Sequence, residues 1–158
     1  MKIFVCVKHV PDTAANIKVV GENGFDESVK FVMNPYDEYA VEEAVRTVQK
    51  NGGEVVAVSV GKPSAANTVR SALAVGADRG ILVKTDTQFL DSETTALALK
   101  AVMEQDGAPD LIFTGKQSVD SEGMQTHYRL AEKLGIPVAS EVSSFTLENS
   151  RAIIACEV

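Results

Sequence analysis

Val55-Val56-Ala57-Val58-Ser59-Val60, a helix-period stretch from about Ser64 to Val75 stopped by Gly76, and then Gly80-Ile81-Leu82-Val83 decide the fold. Nearly continuous apolar, β-branched runs are what strands buried on both faces require. Strand, helix and strand in close succession is the pattern of a parallel sheet covered by helices.

The alternation continues in both directions. Ile3-Phe4-Val5-Cys6-Val7 is an earlier strand and Asp110-Leu111-Ile112-Phe113-Thr114 a later one. Asn34-Pro35 opens a first helix, with Asn34 as the expected cap and Pro35 where a missing N–H is harmless. Asp37 and Glu38 are expected to complement its dipole, while Ala40, Val41, Ala44, Val45 and Val48 form an apolar stripe that Gly52-Gly53 ends. A third helix begins near Asp91, carries Leu97, Ala98, Ala101 and Val102, and is broken by Gly107-Ala108-Pro109. A fourth is expected from near Ser121, with Met124, Tyr128, Ala131 and Leu134 on one side and Gly135 at its end. The predicted class is α/β: a twisted parallel sheet with helices on both faces, in one domain spanning 1–158.

Two segments depart from this rhythm. Ile17 to Val20 and Val29 to Val32 flank Gly21-Glu22-Asn23-Gly24 and read as a hairpin inserted after the first strand. Glu141 to Leu147 and Arg151 to Val158 flank Glu148-Asn149-Ser150 and read as a C-terminal hairpin.

Composition narrows the function. The 158 residues are 45% hydrophobic and 23% charged, a globular balance that excludes a disordered or fibrous chain. Fifteen Lys and Arg against 22 Asp and Glu leave a net charge of −7, which disfavours nucleic acid and anionic lipid as partners. The apolar run Val55 to Val60 is far shorter than the ~20 residues of a membrane span, so no direct membrane insertion is expected. Cys6 and Cys156 form no metal-ligand spacing with the two histidines and are expected to be buried thiols of a reducing, cytoplasmic compartment, with a disulfide between the terminal strands as the alternative.

Ligands of open α/β sheets lie beyond the strand carboxyl ends. Four segments fall there: Lys8-His9-Val10-Pro11-Asp12, Gly61-Lys62-Pro63-Ser64, Lys84 to Ser92, and Gly115 to Gly123. The last continues as Gly115-Lys116-Gln117-Ser118-Val119-Asp120-Ser121-Glu122-Gly123-Met124-Gln125-Thr126. A glycine after a buried strand, then small and hydroxyl residues leading into a helix, suits an anion at the helix start. Neither a P-loop nor a dinucleotide glycine fingerprint is present. Asp120 and Glu122 oppose phosphate unless they turn away or bind ribose. Lys8 and Lys116 read by default as solvated lysines, and His9 and His127 lack a nucleophile motif.

The ordered set Val7-Lys8-His9-Val10-Pro11-Asp12, Met33-Asn34-Pro35-Tyr36-Asp37-Glu38, Arg70 to Arg79, Pro109-Asp110-Leu111-Ile112 and the Gly115 loop through Thr126 resembles the N-terminal part of electron-transfer flavoprotein β subunits. The resemblance implies an α/β fold of the adenine-nucleotide α-hydrolase type, and a structural AMP that takes no part in the redox step. It implies an AMP pocket made of Cys6, Asn34, Pro35, Tyr36, Asp37, Val60 and residues Gly115 to Thr126, with Tyr36 near the flavin. It further implies an α-subunit partner that holds most of the FAD. The assembly would carry electrons from dehydrogenases, such as acyl-CoA dehydrogenases, to a membrane quinone oxidoreductase. The chain is then an electron-carrier subunit rather than an enzyme, and is expected to be truncated relative to the full-length subunit.

Some members of that family bifurcate electrons and hold a second FAD in place of AMP. Asp120-Ser121-Glu122-Gly123-Met124-Gln125-Thr126 departs from their loop pattern and favours AMP. His127 stands where many members carry a small residue. The alternatives from other classes are a universal-stress-type nucleotide-binding module and an adenylating enzyme. The first expects a second glycine three residues after Gly115, where Ser118 stands; the second expects a Ser-Gly-Gly loop after the first strand.

Overall fold

A computed structural model describes residues 1–157. Strand β1 (Lys2–Cys6) leads into short strands β2 (His9–Pro11), β3 (Val19–Val20), β4 (Gly24–Phe25) and β5 (Phe31–Met33). Then come α1 (Pro35–Asn51), β6 (Glu54–Gly61), α2 (Ala66–Val75), β7 (Arg79–Lys84), α3 (Ser92–Asp106), β8 (Leu111–Thr114) and α4 (Thr126–Leu134). Strands β9 (Val142–Glu148) and β10 (Arg151–Cys156) complete the order.

The central sheet is parallel and ordered β7-β6-β1-β8. Alternation along β1 sends Ile3 and Val5 to one face and Phe4 to the other, all fully buried. Ala40, Val41 and Ala44 of α1 and Ala72 of α2 cover the first face. Ala96, Leu99 and Met103 of α3 and Leu130 of α4 cover the second. From β1 the chain winds outward to β7, then returns to place β8 on the other side of β1. The carboxyl ends of β1 and β8 therefore flank a topological switch point, where such sheets open a crevice.

Several expectations are corrected. Val29–Val32 does not pair with Ile17–Val20: β5 pairs with β2, and the Gly21–Gly24 turn closes only the two-residue ladder of β3 and β4, where Val19 is 78% exposed. Helix α3 buries Ala96, Leu99 and Met103 and leaves Leu97 exposed, because its apolar residues offer two stripes and the sheet selects one. Helix α4 starts at Thr126 rather than Ser121, since Glu122 and Met124 adopt φ of 49° and 51°, which no right-handed helix accommodates. Its buried side is His127, Leu130 and Ala131, with Tyr128 exposed. Cys156, expected to be buried, is exposed on β10, and Cys6 is half-buried; both are free thiols. The C-terminal hairpin forms as β9 and β10, whose register runs from Arg151 opposite Glu148 to Cys156 opposite Val142; Val158 lies outside the described residues. Phe145 of this hairpin packs edge-on against Phe113 with ring centroids 5.0 Å apart.

Candidate functional site

The switch point is assembled by side chains of α1's first turn. Asn34 sits at the N-cap position, where its carbonyl accepts from the Asp37 N–H at 2.9 Å, but its side chain makes no cap bond. Instead its buried amide donates through Nδ2 to the Gln117 carbonyl at 2.8 Å and accepts through Oδ1 from the Val119 N–H at 3.1 Å. The expected capping role is thus replaced by a clamp on the loop after β8, because both halves of the amide find backbone partners there.

Asp37 is likewise not a surface dipole complement. It is buried; Oδ2 accepts from the Lys8 N–H at 2.7 Å and Oδ1 from the Gly115 N–H at 3.1 Å. Desolvation pushes its carboxyl up to about 7, against the lowering effect of those amide bonds and of Asn34 and Lys8. A Cβ on Gly115 would meet Asp37 Oδ1 at 2.3 Å and the Tyr36 backbone carbon at 2.9 Å. The glycine after β8 is therefore required by the close approach of α1.

Lys8 is a tether rather than a free surface charge. Its Nζ donates to Asp120 Oδ1 at 2.7 Å and to Ser118 Oγ at 3.2 Å, while Ser118 and Ser121 share a hydroxyl contact of 2.7 Å. The Asp120 charge that opposed a phosphate is thereby balanced. The Lys116 ammonium lies 5.8 Å from the Tyr36 ring centroid, in cation–π range.

Beyond these clamps opens a crevice of about 750 Å³, reached by all four segments placed at strand ends from the sequence. Cys6, Val60, Asn34, Asp37 and Gly115 line it, with Lys116, Gln117, Ser118, Asp120, Ser121, Gly123, Met124, Gln125 and Thr126. Pro35, Tyr36, Val119 and Glu122 are not part of its lining. Tyr36 faces a second groove beside β8 instead, and the Val119 N–H is turned to Asn34. At the crevice wall, desolvation and the nearby Asp37 carboxylate push the Cys6 thiol up to about 12, so it stays protonated at neutral pH.

At the start of α4, Gln125 supplies no side-chain cap bond, and Thr126 and His127 line the crevice. The first-turn N–H groups of a helix have no intrahelical acceptor, so this end offers backbone donors that no side chain caps. Residues absent from the sequence-based site also line the crevice, among them His9, Phe25, Glu27, Phe31, Lys62, Gln88 and Phe89. The strand-end segments 8–12, 61–64 and 84–92 carry a signal for His9, Lys62, Gln88 and Phe89, whereas no sequence signal points to Phe25, Glu27 or Phe31. Both histidines are engaged: His9 Nδ1 with Thr68 Oγ1 at 2.8 Å, and His127 Nε2 with Ser140 Oγ at 3.2 Å. Burial lowers the pKa of each.

Comparison with known proteins places this architecture. Residues 23–158 match the family model described as Electron transfer flavoprotein domain. The chain is 43% identical to the electron transfer flavoprotein subunit beta of Bradyrhizobium diazoefficiens, over 100% of this chain and 64% of that protein. It is 39% identical to the protein of the same description from Dictyostelium discoideum, over 100% of this chain and 64% of that one. It is also 39% identical to Protein FixA of Azorhizobium caulinodans, over 86% of this chain and 50% of that protein. The chain thus spans between half and about two-thirds of the length of these relatives. With the family model matched along most of its length, and β subunits among its relatives, this chain belongs to the electron transfer flavoprotein family.

Proposed function

We propose that this chain serves as the β-subunit portion of an electron-transfer flavoprotein and binds AMP, as an architectural ligand, in the crevice between Cys6, Val60 and the Gly115–Thr126 loop. The observation that carries this reading is the start of α4: an uncapped helix end whose residues Thr126 and His127 line the crevice, beside the hydroxyls of Ser118 and Ser121. Such an end favours a phosphate through its free amides and its dipole. The balancing of Asp120 by Lys8 supports the same reading, as does the glycine-bearing opening at Gly123, where no neighbouring atom crowds the backbone.

In this account an α subunit is the partner and holds most of the FAD, which supplies the redox chemistry when bound. The residues of this chain hold and orient. Asn34 and Asp37 fix the loop, Lys8 neutralises it, and the crevice keeps the adenylate out of bulk water. The heterodimer takes electrons from dehydrogenases, such as acyl-CoA dehydrogenases, and delivers them to a membrane quinone oxidoreductase. The proposed site of action is cytoplasmic; among the described residues no helix is long and apolar enough to cross a membrane.

Co-purification with a partner of the α-subunit type tests the assignment. A yellow, FAD-containing heterodimer is the expected product. A colourless mixture that does not associate contradicts it.

A further inference from the structure

Two segments that line the crevice touch each other, and neither belongs to the loop proposed to grip the adenylate. One carries Phe25, Glu27 and Phe31 in and after β4; the other is the connection from β7 to α3, carrying Gln88 and Phe89. The first is fixed to the body of the domain. Strand β5 pairs with β2, and the His9 ring stacks on Phe31 at 4.7 Å while its Nδ1 meets Thr68.

The second segment reaches the first through a small set of contacts. Gln88 Nε2 donates to the Phe25 carbonyl at 3.1 Å and to Glu27 Oε1 at 3.0 Å. The Phe89 ring lies tilted against Phe25 with centroids 5.9 Å apart, although Phe89 is 58% exposed. Glu27 is the hub, because Lys62 Nζ, at the end of β6, donates to its two oxygens at 2.9 and 2.7 Å. Lys62 and Gln88 lower the Glu27 pKa, so the hub is ionised at neutral pH.

A half-exposed ion pair is weak and salt-sensitive, and a single exposed aromatic contact is weak. Such a bridge opens by local motion without unfolding the sheet beneath it. Lids of this kind set release rates by opening and closing over a bound ligand.

We propose that Glu27, Gln88 and Phe89 form a clasp over the crevice that sets the rate at which an adenylate enters and leaves. The inference rests on the nucleotide reading above. It adds that these residues govern exchange and contribute little to affinity, so loosening them accelerates binding and release together.

Stopped-flow fluorescence with methylanthraniloyl-AMP, chased by excess AMP, tests this on the full chain. Gln88→Ala and Phe89→Ala are expected to raise both rate constants tenfold or more, with Kd changed by less than threefold. Rising salt is expected to speed release from the wild type and to have little effect on Glu27→Gln. Release rates within twofold of wild type in the variants overturn the clasp alone. So does a faster release with an unchanged association rate, since the residues then contact the ligand rather than gate it. Absence of any probe binding to the wild type overturns the nucleotide reading, and the clasp with it.

Discussion

The Asp37 carboxylate accepts a hydrogen bond from the Gly115 backbone N–H at 3.1 Å, and the space beside Gly115 that a side chain would need is filled by that same carboxylate. Helix α1 and the loop after β8 are thereby joined over 78 residues of sequence. The second carboxylate oxygen holds Lys8 at the end of β1, so one buried acid fixes both strands of the switch point. The crevice geometry depends on this junction.

Gly115→Ala places a methyl 2.3 Å from Asp37 Oδ1 and 2.8 Å from Tyr36 Cβ. Helix α1 must shift or the loop must leave its place. Overpacking of this kind costs about 1–3 kcal/mol, and urea unfolding of the variant is expected to show a loss in that range. Unchanged stability would mean that α1 does not press on the loop.

The raised pKa of Asp37 predicts a pH signature. With the folded value near 7, above the ordinary 3.8, the contribution of this group to stability is fully present below the unfolded value. It is lost as pH rises through 7. Asp37→Asn cannot titrate, so the stability difference between wild type and variant is expected to shift in the variant's favour from pH 4 to pH 8. Denaturant unfolding at a series of pH values measures it, and a constant difference would contradict the assignment.

Asn34→Ala leaves the Val119 N–H and the Gln117 carbonyl without their side-chain partners. An unsatisfied buried group costs about 1–3 kcal/mol, and because these two bonds are part-buried the loss is expected at the low end of that range. Hydrogen exchange at the Val119 amide is expected to accelerate while amides of β1 and β6 keep their protection. If all amides accelerated equally, Asn34 would be supporting the whole domain rather than the loop.

Local signals in the sequence marked the strong elements and failed where distant residues decide. Pro35 and Gly52-Gly53 bound α1 correctly because first-turn proline and terminal glycine act within the helix itself. Nothing local marks Asp37 as buried, since an acid in a first turn is equally at home in water. The partners that bury it, Lys8 and Gly115, come from other strands. The sequence pattern extends α4 too far towards Ser121 because Met124 fits the helical period, while its φ of 51° is set by the loop. Nothing in the sequence marks strand β2, because its three residues gain strand character only from pairing with β5. The crevice was legible as four strand ends, whereas its Phe25, Glu27 and Gln88 wall comes from chain excursions without periodicity.

The most direct test is the identity and amount of nucleotide released by acid from the native heterodimer, read by mass spectrometry. The account predicts one AMP per heterodimer beside a single FAD, with the AMP lost when the Gly115–Thr126 loop is disrupted. Two FAD and no AMP, or no adenylate at all, would contradict it.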